Sequence, residues 1–122
     1  MALKILVVDD DTGTLTFLEH VLRKQGYDVV TAVDGLDALV KVKNETPDLV
    51  VLDVMMPEIN GYDVCFHMRF NKDFERIPIL LTTAREQELD PVIGERVNID
   101  YIQKPVDTAA FLAKVAGLAG AP

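Results

Sequence analysis

Four short apolar runs in this chain end in residues that can do chemistry. Leu3-Lys4-Ile5-Leu6-Val7-Val8 leads into two adjacent carboxylates, Asp9 and Asp10. Asp48-Leu49-Val50-Val51-Leu52 ends in a third, Asp53. Ile77-Pro78-Ile79-Leu80-Leu81 ends in two hydroxyls, Thr82 and Thr83, and Ile99-Asp100-Tyr101-Ile102-Gln103 ends in Lys104, followed by Pro105. Acid clustered at one sheet edge calls for a hard cation. A hydroxyl and an ammonium beside it call for an oxyanion such as phosphoryl. Three close carboxylates repel one another and raise at least one pKa unless a cation neutralises them. Mg²⁺ suits such a site, because it takes oxygen ligands and keeps several waters. Asp10, Asp53 and a loop carbonyl would suffice, with Asp9 acting through water. His20, Cys65 and His67 fall on expected helices and lack zinc-type spacing.

For these tips to converge, the runs must be strands of one sheet. Strands are expected at 3–8, 27–32, 48–52, 77–82 and 99–103. Helices are expected at 12–25, 35–45, about 62–70, 86–96 and 107–118. Gly26 stops the first helix, Asp34 caps the second and Pro47 ends it. Leu36, Leu39, Val40 and Val42 would form the apolar side of the second helix, and Asp107 or Thr108 would cap the last. Alternating strands and helices imply parallel βαβ units with helices on both faces of the sheet. Near-continuous apolar strands fit a sheet covered on both sides. Ligands in such open sheets sit outside the carboxyl ends of the strands.

Composition narrows the function. The 122 residues amount to one domain, 1–122, with a core over about 3–118. A net charge of −8 argues against direct nucleic-acid binding. No apolar stretch reaches the roughly 18–20 residues of a membrane span, and no secretory signal is visible. One cysteine excludes an internal disulfide and fits a reducing, cytoplasmic setting.

Asp9-Asp10, Asp53, Met55-Met56-Pro57 with Asn60-Gly61, Thr83-Ala84 and Lys104-Pro105 together resemble the receiver domain of two-component response regulators. The spacings fit as well, with 43 residues from Asp10 to Asp53, 30 more to Thr83 and 21 more to Lys104. The resemblance implies a flavodoxin-like, doubly wound (βα)5 fold with five parallel strands in the order 2-1-3-4-5. It implies that Asp53 accepts a phosphoryl group from a histidine kinase or histidine phosphotransfer protein, as a carboxylate nucleophile. Asp10, Asp53 and the Met55 backbone carbonyl would bind Mg²⁺, for which Mn²⁺ can substitute, with Asp9 acting through a metal-bound water. Lys104 would pair with Asp53 at rest and with the phosphoryl oxygens afterwards. Thr83 would swing towards the phosphoryl group, and Tyr101 would move inward behind it.

Lys104-Pro105 is a cis-peptide candidate on the same resemblance. Met55 and Arg85 stand where receivers tune dephosphorylation. Neither is a good general base, so slow self-dephosphorylation is expected. The stretch Arg96-Val97-Asn98-Ile99-Asp100 departs from the usual Gly-Ala pattern of the family.

The resemblance implies a regulatory phosphoacceptor and not an enzyme, beyond its own phosphorylation and dephosphorylation. Its output would be binding to a downstream protein or an output domain, either as a stand-alone receiver or as part of a longer regulator. A dimer through the last strand and helix fits as well. Two alternatives stand beside it. One is a degenerate receiver that binds proteins without phosphorylation. The other is a Mg²⁺-dependent aspartyl-phosphate phosphatase, against which Met55 argues, because that chemistry wants a second Asp there. A flavin module would need a Gly- and hydroxyl-rich loop where Asp9-Asp10-Asp11 stands.

Overall fold

The computed structural model describes residues 2–84 and 99–121. The helix expected at 86–96, and Arg85, lie outside the described residues. Five strands, β1 (Lys4–Val8), β2 (Asp28–Ala32), β3 (Leu49–Asp53), β4 (Ile79–Thr83) and β5 (Ile99–Gln103), form one sheet in the order β2-β1-β3-β4-β5. All four pairings are parallel. The described helices are α1 (Thr12–Lys24), α2 (Gly35–Glu45), α3 (Gly61–Arg69) and α4 (Thr108–Ala119). The flavodoxin-like topology that the family resemblance implies is therefore the observed one.

Strand residues alternate between two cores, as the period of two requires. Leu6, Val8, Val50, Leu52, Ile79 and Leu81 pack with residues of α2 and α3 on one face. Ile5, Val7, Leu49, Val51, Leu80 and Ile102 pack with α1 and α4 on the other. The central strands are buried on both sides, which explains their lack of polar alternation.

Each described helix starts at an acid or amide that satisfies an orphan amide. Asp11, Asp34, Asn60 and Asp107 accept from the backbone N–H of Thr14, Asp37, Asp63 and Ala110 respectively. Asn60 and Asp63 form a reciprocal capping box. Asp11 fixes the start of α1 at Thr12.

One expectation fails on α2. Leu36 and Val40 do not face the core; they are 64% and 47% exposed. The buried stripe is Gly35, Ala38 and Val42. Small residues on that stripe let α2 approach the loop before α3. A Cβ on Gly35 would lie 2.4 Å from the Ile59 carbonyl oxygen. Larger side chains one position on are rotated away from this contact.

Candidate functional site

The carboxyl ends of four strands meet at one edge. Asp53 is the last residue of β3 and Thr83 the last of β4. Asp9 follows β1 and Lys104 follows β5. Backbone bonds fix these tips. Asp9 N donates to Ala32 O at 3.2 Å, Val54 N to Thr82 O at 3.0 Å and Lys104 N to Thr83 O at 2.7 Å. The Lys104–Pro105 peptide is cis.

The Lys104 ammonium lies between two carboxylates. Its Nζ donates to Asp53 Oδ1 and to Asp9 Oδ2, each at 3.0 Å. Asp9 is almost fully buried and Asp53 nearly so, whereas Asp10 is exposed. The other oxygen of Asp9, Oδ1, accepts the Asp11 N–H at 2.9 Å. From the sequence, Asp9 reads only as an outer metal ligand. Its bond to Lys104 crosses 95 residues of chain and carries no local signal. Asp11 could have been found from its position three residues before Thr14, the spacing of a helix cap.

Asp9, Asp10 and Asp53 each offer an oxygen within 4.8 Å of the others. The donor set is entirely carboxylate oxygen, which fits a hard divalent cation and not a soft one. Register sets Thr82 opposite Asp53 and Thr83 one step further towards the carboxyl edge, and both are buried. Met55 is 60% exposed on the loop after β3. Tyr101 is 42% exposed, outside the core.

Burial pushes the Asp53 carboxyl up to about 6, and the charge of Asp9 adds to the rise against the pull of Lys104. For Lys104, burial alone would lower the pKa. Its hydrogen bonds to Asp9 and Asp53 outweigh that and raise it. Asp11 is held below the usual carboxylate range by its bonds from the Thr14 hydroxyl and amide.

The Asp53 shift predicts a pH dependence for the metal-free protein. Its carboxyl binds a proton more tightly folded, at about 6, than unfolded, near its ordinary value of 3.8. The folded state therefore holds more protons between those limits, and stability falls as pH rises through that window. The loss is on the order of 2–3 kcal/mol and is complete above the folded pKa. Urea midpoints of the native protein and Asp53→Asn, measured across pH 4–8 without metal, check this. The difference between them should open on going up through that window; parallel curves would count against it.

Beside the site, a groove of about 750 Å³ runs between the start of α1 and the Lys104–Pro105 turn. Thr14, Phe17, Pro105 and Val106 line it. Phe17 is 47% exposed there.

Fold and strand-tip geometry agree with the comparisons. The family model for the response regulator receiver domain matches residues 5–116, and the chain belongs to that family. It is 45% identical over 113 residues to the alkaline phosphatase synthesis transcriptional regulatory protein PhoP of Bacillus subtilis. That match covers 92% of this chain and 46% of the relative, so the chain spans about half the relative's length. The chemotaxis response regulator CheY4 of Vibrio cholerae superposes with a TM-score of 0.87 at 28% identity, over 97% of this chain and 99% of that one. The receiver domain of a sensor histidine kinase from Pseudomonas aeruginosa has a TM-score of 0.87 at 26% identity, over 99% and 100%. It was solved with a magnesium ion coordinated in its active site cleft. The chain is thus a regulatory signalling domain of the two-component type. Among the described residues, no helix is long and apolar enough to cross a membrane.

Proposed function

We propose that this domain is a phosphoacceptor switch in which Asp53 takes a phosphoryl group from a phosphohistidine on a histidine kinase or phosphotransfer protein. The observation that carries this is the buried Asp53 carboxylate, paired to Lys104 at 3.0 Å and within reach of Asp9 and Asp10. An Asp53 oxygen attacks phosphorus, the P–N bond breaks, and its electron pair returns to the donor imidazole. Asp10 and Asp53, with the Met55 carbonyl, would hold Mg²⁺, and Asp9 would add negative charge beside it. When bound, the cation neutralises charge on the carboxylates and phosphoryl oxygens.

Lys104 then exchanges a carboxylate partner for a phosphoryl oxygen, and Thr83 supplies a hydroxyl donor. The phosphoryl group adds about −1.5 to −2 charge and strong acceptors, which reorganise the contacts around it. Tyr101, exposed at rest, moves inward and changes the surface offered to a downstream partner or output domain. The groove beside α1 supports the donor's approach, since it opens next to Lys104 and presents Phe17.

The test is intact mass after incubation with Mg²⁺ and phosphoramidate or acetyl phosphate. The native protein should gain one phosphoryl group and Asp53→Asn none. If Mg²⁺ binding is demonstrable and no adduct forms with either donor or with a phosphorylated histidine phosphotransfer protein, the domain is a phosphorylation-independent binding module.

A further inference from the structure

β2 is an edge strand of the sheet. Asp28 N donates to Leu3 O and Asp9 N donates to Ala32 O. In a parallel ladder this alternation turns Asp28, Val30 and Ala32 towards β1. The peptide groups of Val29 and Thr31 therefore face outward, where another strand could pair with them. Unpaired edges of this kind template association between chains.

Both outward carbonyls are covered by cations from the two flanking helices. Arg23 Nη2 on α1 donates to Val29 O at 2.9 Å. Lys41 Nζ on α2 donates to Thr31 O at 2.8 Å. The next outward donor, Val33 N, is taken by Asp37 Oδ2 at 3.3 Å. The covering side chains are themselves tied down. Arg23 pairs with Glu19 at 3.0 Å and Lys41 with Asp37 at 3.5 Å, each one helical turn apart. These caps come from opposite faces of the sheet and converge on one edge.

We infer that Arg23 and Lys41 hold the β2 edge closed against a second copy of this chain. The partner follows from register. An antiparallel twofold centred on Val30 sets Val29 of one copy opposite Thr31 of the other. That pairing satisfies both outward N–H groups and both outward carbonyls in each copy. It also sets Asp28 opposite Ala32, so no like charges meet across it. Asp-Val-Val-Thr-Ala is rich in β-branched residues and suits an extended pair. Among the described residues, the two cations occupy the carbonyls that the incoming amides must use.

Sedimentation equilibrium of Arg23→Met/Lys41→Met tests this, with folding checked by circular dichroism. Methionine keeps the apolar stem and the helix propensity but removes the donor. The double variant should self-associate roughly tenfold or more tightly than the native protein. Adding Thr31→Pro should return association to the native level. That change removes an outward N–H and no bond to β1. If the folded double variant associates no more tightly than the native protein, or if Thr31→Pro leaves the gain intact, the inference is wrong. Should the double variant fail to fold, each single variant uncovers one carbonyl and should associate about threefold more tightly. A folded single variant with unchanged association overturns the role of that residue.

Discussion

Lys104→Met should lower the stability of the metal-free protein by about 2–4 kcal/mol near neutral pH. Lys104 bonds to both Asp9 and Asp53 at 3.0 Å, and those carboxylates are 1% and 4% exposed. Removing the ammonium leaves two buried anions facing each other. The ammonium itself is a quarter exposed, which keeps the estimate below that for a fully buried pair. Two conditions should shrink the loss. Lowering the pH lets Asp53 take up a proton, which it already does at about 6 with Lys104 present. Saturating Mg²⁺ shrinks it as far as the variant, freed of the competing ammonium, binds the ion more tightly, by about 1.4 kcal/mol for a tenfold tighter affinity. Urea midpoints in the four combinations of variant and Mg²⁺, repeated at pH 5 and 7.5, measure this. A loss indifferent to both pH and Mg²⁺ would mean that Lys104 stabilises through packing and not through charge.

Gly61→Ala should cost about 2–3 kcal/mol and reduce phosphorylation of Asp53 beyond what the unfolded fraction explains. An added Cβ would lie 2.4 Å from the carbonyl oxygen of Asp53 and 2.9 Å from the Cα of Val54. Neither atom can turn aside as a side chain would. Gly61 N donates to Val54 O at 2.9 Å, and Val54 N donates to Thr82 O at 3.0 Å. The start of α3 is therefore clamped against the end of β3. Relieving the clash must shift the backbone that carries Asp53. Gly117→Ala is the control, since nothing lies within 4 Å of its added Cβ. In the interior of α4 it should be neutral or stabilise by up to about 1 kcal/mol. Denaturant midpoints of both variants, with phosphoryl uptake by intact mass, separate the steric effect from a generic glycine effect.

Much of this domain was legible along the chain. Five apolar runs alternating with helical periodicity specified parallel βαβ units, because a helix between consecutive strands carries the chain back to start the next strand in the same direction. Asp34 as a cap and Gly26 as a stop were readable from local chemistry alone. The observed strands β3 and β4 end one residue later than expected, because Val54 N donates to Thr82 O and Lys104 N to Thr83 O and so carry the ladder on to Asp53 and Thr83; β4 starts later, at Ile79, since Pro78 has no N–H. Periodicity misled on α2, where Leu36 and Val40 look like core residues. Apolar type does not say which face of a helix finds a neighbour, and here Gly35 against Ile59 decided it.

Residue type and chain order are enough to name the side chains that could form the site. Strand tips carry Asp9, Asp10, Asp53, Thr83 and Lys104, and a parallel sheet brings all carboxyl ends to one edge. How they share charge is set by the folded arrangement. Lys104 divides its bonds between Asp9 and Asp53, and burial lifts Asp53 to about 6. It also set Arg23 and Lys41 on the two outward carbonyls of β2. Desolvation and ion pairing depend on distances between residues far apart in the chain. Local pattern carries no record of those distances.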